Sequence, residues 1–425
     1  MIDSHCHLNL DQFEDDREDV LARALGDGVS ALVNIGFDRT TIDQTMELVE
    51  SYPFVYAAVG VHPHDAGAID DALVADIERH LAHPRVLAVG EIGLDFYRDH
   101  SPREAQRDVF ARMLALARER DRPIVIHCRD AFDEVIEMLS AAGGEHRGIF
   151  HAFAGTPEEA KRVLDLGLHI GVGGVATFRN SQLAKTLRDL PLDRIVLETD
   201  SPYLTPHPYR GRRNEPSYLA HVARAVAGAA KVSFVEVVEA TTQNLYAALG
   251  VSPDRRPSGI YRLEDTIYIQ TTTVGSDFGA LTAFEDDIEE IEEAIICGYA
   301  DPLDDLDRAM AAARWAAEKG LRVRVNTSGL GNVTAGRDIT RELSEFVDEV
   351  VVVFHGTTAG QHERTARAGV NDETFDAMKD FVRRCAEAGM DAVCEFVAAP
   401  KFKADPCREF AKSLGAQYDI RMYRS

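Results

Sequence analysis

The sequence predicts an α/β chain: a closed (β/α)8 TIM barrel followed by a smaller α/β domain built as a partial barrel. Three observations carry this reading. Short apolar runs alternate with longer amphipathic stretches up to about residue 250. Eight such runs occur there, the number a closed barrel requires. A stretch rich in proline, glycine and charge, "GVSPDRRPSG" at 250–259, then interrupts the pattern, which restarts beyond it.

The eight strand-like runs are "MIDSH", "ALVNIG", "FVYAAVG", "VLAVGEIGLD", "PIVIHC", "GIFHAF", "LHIGVGG" and "RIVLETD". Helical periodicity fills most of the intervals, in "DREDVLARALGDG", "DRTTIDQTMELVE", "PREAQRDVFARMLALARER", "DAFDEVIEML" and "PEEAKRVLDLG". Two more helices, around 215–230 and 234–248, complete a first domain over 1–252. A linker is placed at 253–261. The second domain, 262–425, repeats the alternation with "TIYIQTTT", "AIICGY", "LRVRVNT", "DEVVVVFHG", "DAVCEFVAA" and "QYDIRMY". Its helices include "LDDLDRAMAAARWAAEKG" and "DETFDAMKDFVRRCAEAGM". Six strands are too few for a closed eight-stranded barrel.

Composition narrows the class. With 45% hydrophobic residues among 425, the chain can bury cores. No apolar run reaches the roughly 18 residues of a membrane span, and no basic-then-apolar leader opens the sequence, so a soluble cytoplasmic protein without membrane partners is expected. The six cysteines, at 6, 128, 297, 385, 394 and 407, are too scattered for a zinc ribbon or disulfide framework and are expected to be free. The net charge is -25, and only eight of the 46 basic residues are lysine. That balance fits either a salt-rich cytosol or an ordinary acidic protein from an arginine-favouring genome. A chain so acidic needs local cations, metals or salt to approach nucleic acid.

The chemistry is expected at one mouth, because the C-terminal ends of barrel strands share a face. In the opening "IDSHCHL" an extended chain turns His5 and His7 to one side and Cys6 to the other. The fourth run ends in Glu91 and Asp95, the fifth in His127, the sixth in His151 and the eighth in Asp200. Four histidines and two carboxylates suit borderline divalent ions such as zinc, manganese or iron better than an oxygen-only magnesium or calcium site. Glu91 can bridge two ions, one held with His5, His7 and Asp200, the other with His127 and His151. Such ions lower the pKa of water, and Asp200 can accept its proton as general base. Each residue alone could instead be a satisfied polar side chain or loop cap; Asp95 is read as orienting a ligand or ending its strand. Substrate-binding candidates are His62 and His64 in "GVHPH", Arg129, and the run "PYRGRRNEP" with Arg210, Arg212 and Arg213, a phosphate contact or a solvated loop.

"DSHCHL", "GVHPH", "GEIGLDF", "VIHCRDA", "HAF", "ETDSPYLTP" and "YRGRRNEP" occur in the order and spacing of the TatD family of metal-dependent deoxyribonucleases, within the amidohydrolase-like barrels. Residues 1–252 resemble that family. The resemblance implies hydrolysis of DNA phosphodiesters, often from the 3′ end, with two divalent ions (zinc, manganese or magnesium). It implies His5, His7, Glu91, His127, His151 and Asp200 as ligands, with Glu91 and Asp200 catalytic and DNA ends as substrate. A small-molecule amidohydrolase or phosphoesterase is the alternative, and a binding scaffold acting through the second domain is another. Residues 262–425 resemble a radical-SAM module found fused to TatD barrels, through "CGYADPLDDLD", "RVRVNTSGLGN" and "GRDI". The stretch expected to carry three cluster cysteines reads "TIYIQTTTVGSDFGALTAFEDD" and has none. No functional iron–sulfur cluster or SAM is therefore expected, Cys297 is assigned to packing, and a protein partner for this domain is an open expectation. The acidic run "EDDIEEIEE" at 285–293 is expected to form a solvated helix face.

Overall fold

Parallel strands covered on both sides read as near-continuous apolar runs, and the computed structural model of the chain sets eight of them side by side in sequence order. It describes residues 1–272, 278–284, 288–366, 369–398 and 403–421. The strands are β1 (Ile2–Cys6), β2 (Ala31–Gly36), β3 (Val55–Val59), β4 (Val86–Asp95), β5 (Ile124–Arg129), β6 (Gly148–Phe150), β7 (His169–Val172) and β8 (Ile195–Leu197), all parallel to their neighbours. β8 is only three residues long, so the turn after it closes the last seam. Cys6 bridges Ser201, Asp200 N donates to His5 O at 2.9 Å, and His7 N donates to Ser201 O at 2.8 Å. Closure therefore ties Asp200 directly to the His5–His7 strand.

The helices follow the expected periodicities: α1 (Arg17–Gly26), α2 (Arg39–Ser51), α3 (Asp71–His80), α4 (Arg103–Glu119), α5 (Phe132–Ala142), α6 (Pro157–Asp165), α7 (Leu183–Thr186), α8 (Leu219–Ala230) and α9 (Phe234–Leu249). Local chemistry fixes several starts. Asp38 with Thr41 and Thr156 with Glu159 form reciprocal capping boxes, the latter with Pro157 in the first turn. Helix α3, to which the sequence reading assigned no segment, begins at the Asp70 cap, whose carboxylate accepts from Leu73 N at 2.7 Å. Between β7 and β8 the one α-helical turn, α7, is flanked by 3-10 turns at Gly174–Thr177 and Leu192–Arg194. Leu245, Tyr246, Leu249 and Val251 join Ile2, Val33, Tyr56, Val125, Ile149 and Val196 in one buried cluster, so the end of α9 plugs the barrel interior.

A second sheet holds seven strands in the order β15-β14-β13-β12-β11-β10-β9. β10 (Thr266–Gln270), β11 (Glu293–Cys297), β12 (Arg322–Thr327), β13 (Glu349–Phe354), β14 (Asp391–Val397) and β15 (Gln417–Arg421) are the six expected runs and are parallel. The antiparallel edge strand β9 (Ile260–Leu263) starts inside the stretch read as linker; Pro253 and Pro257 suggested a longer break. Helices α10 (Leu306–Glu318), α11 (Gly331–Ala335), α12 (Thr340–Leu343), α13 (Ala359–Ala366), α14 (Asp372–Glu387) and α15 (Ala404–Ser413) accompany it. Helix α14 starts at the Asn371–Thr374 capping box and buries Phe375, Met378, Phe381, Val382 and Cys385 in the core formed with Val350, Val352 and Phe396.

The acidic run departs from expectation. Residues 285–287 lie outside the described residues. Ile288–Glu290 is a single 3-10 turn, and Glu293 opens β11. The apolar "AIIC" after it draws the end of the run into a sheet, which overrides its helical charge pattern. By internal contacts the chain divides into two compact units: Met1–Val20, Ala31–His207 and Asn214–Arg256 in one, and Leu21–Ser30, Pro208–Arg213 and Pro257–Ser425 in the other.

Candidate metal centre

Five strand ends and the turns after them deliver the expected side chains to one buried spot in the first unit. His5 Nε2 and His7 Nε2 are 3.3 Å apart, and His7 Nε2 is 3.3 Å from Asp200 Oδ1. His5 Nε2 lies 3.3 Å from Glu91 Oε2 and 3.8 Å from Asp200 Oδ1. On the other side of Glu91, Oε1 is 2.6 Å from His127 Nδ1 and 2.9 Å from His151 Nε2. The His5 and His151 rings stack with centroids 3.8 Å apart. Glu91 thus faces two groups of imidazoles with its two oxygens. Asp200 reaches its place because its backbone turns into the left-handed region, φ 55°, immediately after the strand.

Burial and proximity set the protonation. Desolvation would raise the Glu91 carboxyl, but the His151 and His5 imidazoles and hydrogen bonding with His127 and His151 hold it well below the usual carboxylate range. Asp200 is likewise held low against its burial, by His7, His151 and His5. Burial works against a charged His151, yet Glu91 and Glu198 raise its imidazole well above its ordinary value. His127 is raised against burial by Asp95 and Glu91. His5, by contrast, is lowered by burial and by His151.

These groups fit divalent cations. Two imidazole nitrogens 3.3 Å apart repel when both present lone pairs or both present protons, unless they share a proton or a cation lies between them. Ionised Glu91 and Asp200, both buried, require compensating positive charge. One ligand atom from each of His5, His7 and Asp200 falls within 4.8 Å of the others, as does the set His62, Glu91 and His127 and the set His5, His151 and Glu198.

The structure adds two residues to this neighbourhood beyond the six expected ligands. His62 Nε2 comes 3.9 Å from Glu91 Oε1, and its imidazole is pushed well below its usual range by burial and His127. Glu198, which the sequence reading passed over, is fully buried, accepts from Ala152 N at 2.6 Å and lies 3.6 Å from His151 Nδ1. Its signal was present: in an extended strand end, Glu198 shares a face with Asp200 two residues on. Gly171 makes the space, since a Cβ there would fall 2.3 Å from Glu198 Oε2.

Asp95 stands behind His127: its Oδ2 is 3.2 Å from His127 Nε2 and 2.9 Å from His64 Nε2. With Nε2–H donating to Asp95, Nδ1 is the His127 nitrogen turned to Glu91: protonated it donates to Oε1, and deprotonated it offers its lone pair to a cation. His64 is thereby turned to Asp95. The Cys6 side chain faces away, its Sγ 3.6 Å from Val33 O, fully buried and with its thiol pushed well above the ordinary range by burial. Arg129 is exposed at the end of β5 with its guanidinium 4.0 Å from the Tyr97 ring centroid. Arg210, Arg212 and Arg213 fall in the stretch Pro208–Arg213, which clusters with the second unit.

The family model described as "TatD related DNase" matches residues 2–250. The chain belongs to the TatD family. It is accordingly a metal-dependent hydrolase of the kind acting on ester bonds. It is 43% identical over 246 residues to the "Uncharacterized metal-dependent hydrolase YabD" of Bacillus subtilis, covering 57% of this chain and 96% of that one. It is 38% identical over 235 residues to the "3'-5' ssDNA/RNA exonuclease TatD" of Pectobacterium carotovorum, covering 53% and 90%. Among solved structures, the TatD homologue YjjV of Escherichia coli superposes with a TM-score of 0.56 at 30% identity, over 59% of this chain and 98% of that one. No helix among the described residues is long and apolar enough to cross a membrane.

Proposed function

We propose that this TatD-family hydrolase removes nucleotides from the 3′ end of DNA single strands at the barrel mouth. One observation carries the reading: both oxygens of a single buried carboxylate, Glu91, are met by imidazoles from three other strands. His5, His7 and Asp200 would hold one ion and His127 with His151 a second, Glu91 bridging. Two divalent ions at such a site supply positive charge against a phosphodiester and lower the pKa of water.

The chain's own groups do the rest. Asp200 stays ionised at neutral pH, so it can take a proton from an attacking water. Asp95 holds the His127 ring in one tautomer, and Glu198 restrains His151. Arg129 is the candidate phosphate contact nearest this centre in sequence terms, two residues after His127; Arg210 and Arg212 remain candidates on the loop after β8. The names carried by relatives from Pectobacterium support both the polarity and a single-stranded substrate.

The second unit is read as a radical-SAM-like domain whose sequence lacks the cluster cysteines and which remains as a structural or interaction domain. Cys297, Cys385, Cys394 and Cys407 are buried and free.

The test is direct. Zinc-, manganese- and magnesium-loaded protein is incubated with single strands labelled at the 3′ or the 5′ end, beside Asp200→Asn. Stepwise loss from the 3′ end, abolished in the variant, is expected. Intact DNA alongside hydrolysis of a small ester or amide would transfer the assignment to a small-molecule hydrolase.

A further inference from the structure

Single exposed aromatic residues are common on protein surfaces. Aromatic rings gathered around one mouth are not explained that way. Tyr97 and Tyr203 are among the large apolar side chains left most exposed, at 58% and 50%. Tyr97 stands two residues past the end of β4, and Tyr203 lies in the turn after β8, its backbone N–H donating to Asp200 O at 2.8 Å. Phe37 comes directly after β2. In a closed parallel barrel these positions share the metal-ligand face. Ring geometry agrees: Phe37 meets His7 and His62 edge-on at 5.6 and 6.0 Å, and Tyr203 meets His7 at 6.0 Å.

Tyr97 is held in a different manner. The Arg129 guanidinium lies 4.0 Å from its ring centroid, near enough for a cation–π contact that stiffens both side chains. Tyr97 nevertheless remains more than half exposed.

Charge decides what such a rim can do. A chain of net charge -25 gains little from long-range attraction to a polyanion. Stacking needs no charge, tolerates any base and works in high salt. We propose that Tyr97, buttressed by Arg129, and Tyr203 form a stacking clamp for unpaired bases of a single strand, with Phe37 as its inner wall beside the ligand histidines. Bases paired in a duplex cannot offer their faces to it, so the clamp selects single-stranded ends. This rests on the nuclease reading for its substrate class and extends it to how the strand is gripped.

The experiment uses the full-length, metal-loaded protein and an oligothymidylate with 2-aminopurine at its 3′ terminus and methylphosphonate terminal linkages that resist hydrolysis. Anisotropy reports affinity, and quenching of the 2-aminopurine reports stacking. Tyr97→Ala and Tyr203→Ala should each weaken binding about ten-fold and restore most of the fluorescence, whereas Tyr97→Phe and Tyr203→Phe keep the ring and should bind and quench as the parent does. A tenfold rise in salt should weaken parent binding only about fivefold, as for one phosphate contact on a single strand. Alanine variants that bind and quench like the parent, or phenylalanine variants that lose as much as alanine, overturn the clamp. An ordinary phosphodiester oligonucleotide separates the two ideas: bound and quenched but never shortened, it removes the nuclease reading alone; neither bound nor shortened, it removes both.

Discussion

The first and second units use the same device, parallel strands whose C-terminal ends present polar side chains, and they end in opposite electrostatic conditions. At the barrel mouth, Glu91 and Asp200 face imidazoles at 2.6–3.8 Å, and two imidazole nitrogens stand 3.3 Å apart, a contact that needs a shared proton or a cation between them. In the second sheet, the carboxylate after β11 is already satisfied by its own chain. Asp301 accepts from Thr327 Oγ1 at 2.9 and 2.7 Å, from Ser328 N at 2.8 Å and from Leu303 N at 2.9 Å, and also from Ser328 Oγ. A strand end becomes a site only where donors converge without cancelling one another; where hydroxyls and amides saturate the carboxylate, the same architecture gives a structural turn.

That contrast can be broken most severely at Glu91. Glu91→Ala should remove the group shared by both sets of imidazoles and lower hydrolysis by at least about a thousandfold, on the scale of losing a charge-stabilising group, with metal content falling in elemental analysis. Retained metal stoichiometry in that variant would contradict the bridging role. Next comes the support behind the ligands: Asp95→Asn and Glu198→Gln should each weaken metal affinity roughly 10–100-fold, read by calorimetric titration, while thermal unfolding of the metal-free forms changes little.

A pH effect of similar or smaller size arises from the imidazoles. Because Asp95 with Glu91 raises His127, and Glu91 with Glu198 raises His151, despite their burial, both rings hold a proton to higher pH than a free imidazole does, and an incoming cation must compete with it. Metal affinity should therefore rise from pH 6 to pH 8 with proton release, measurable in buffers of different ionisation enthalpy. No proton release would mean that these rings enter the site neutral. In the second unit the expected effect is on stability: Asp301→Ala forfeits charge-assisted hydrogen bonds worth roughly 1.5–3 kcal/mol, seen in denaturant titration, with hydrolysis of DNA unaltered. Smallest is Cys6→Ala, which should cost about 1 kcal/mol of stability and leave metal content untouched. Equal metal loss in Cys6→Ala and His7→Ala would show that the β1 geometry is wrong.

Eight strands, and the face on which His5, His7, Glu91, His127, His151 and Asp200 gather, were legible because they depend on local period. Alternation placed His5 and His7 together and Cys6 apart before any contact was known, and the histidines proposed as ligands sit where strands end. The capped start of α3 at Asp70 was equally local, yet no helix was assigned to "DALVADIERH". Charge misled at 288–293, because the sheet core takes Ala294, Ile295 and Ile296 and pulls Glu293 into β11.

The sequence by itself determined which residue types stand at which strand ends, since backbone alternation and the length of each apolar run fix both. Only the tertiary structure decided how they group. Glu91 lies between His5 and His151, Asp95 takes the outer nitrogen of His127, and Glu198 is admitted by the missing side chain of Gly171. The reason is physical: these pairings join residues far apart in the chain, set by barrel closure through Cys6 and Ser201 and by side-chain packing within ångströms, and neither is encoded in any local period.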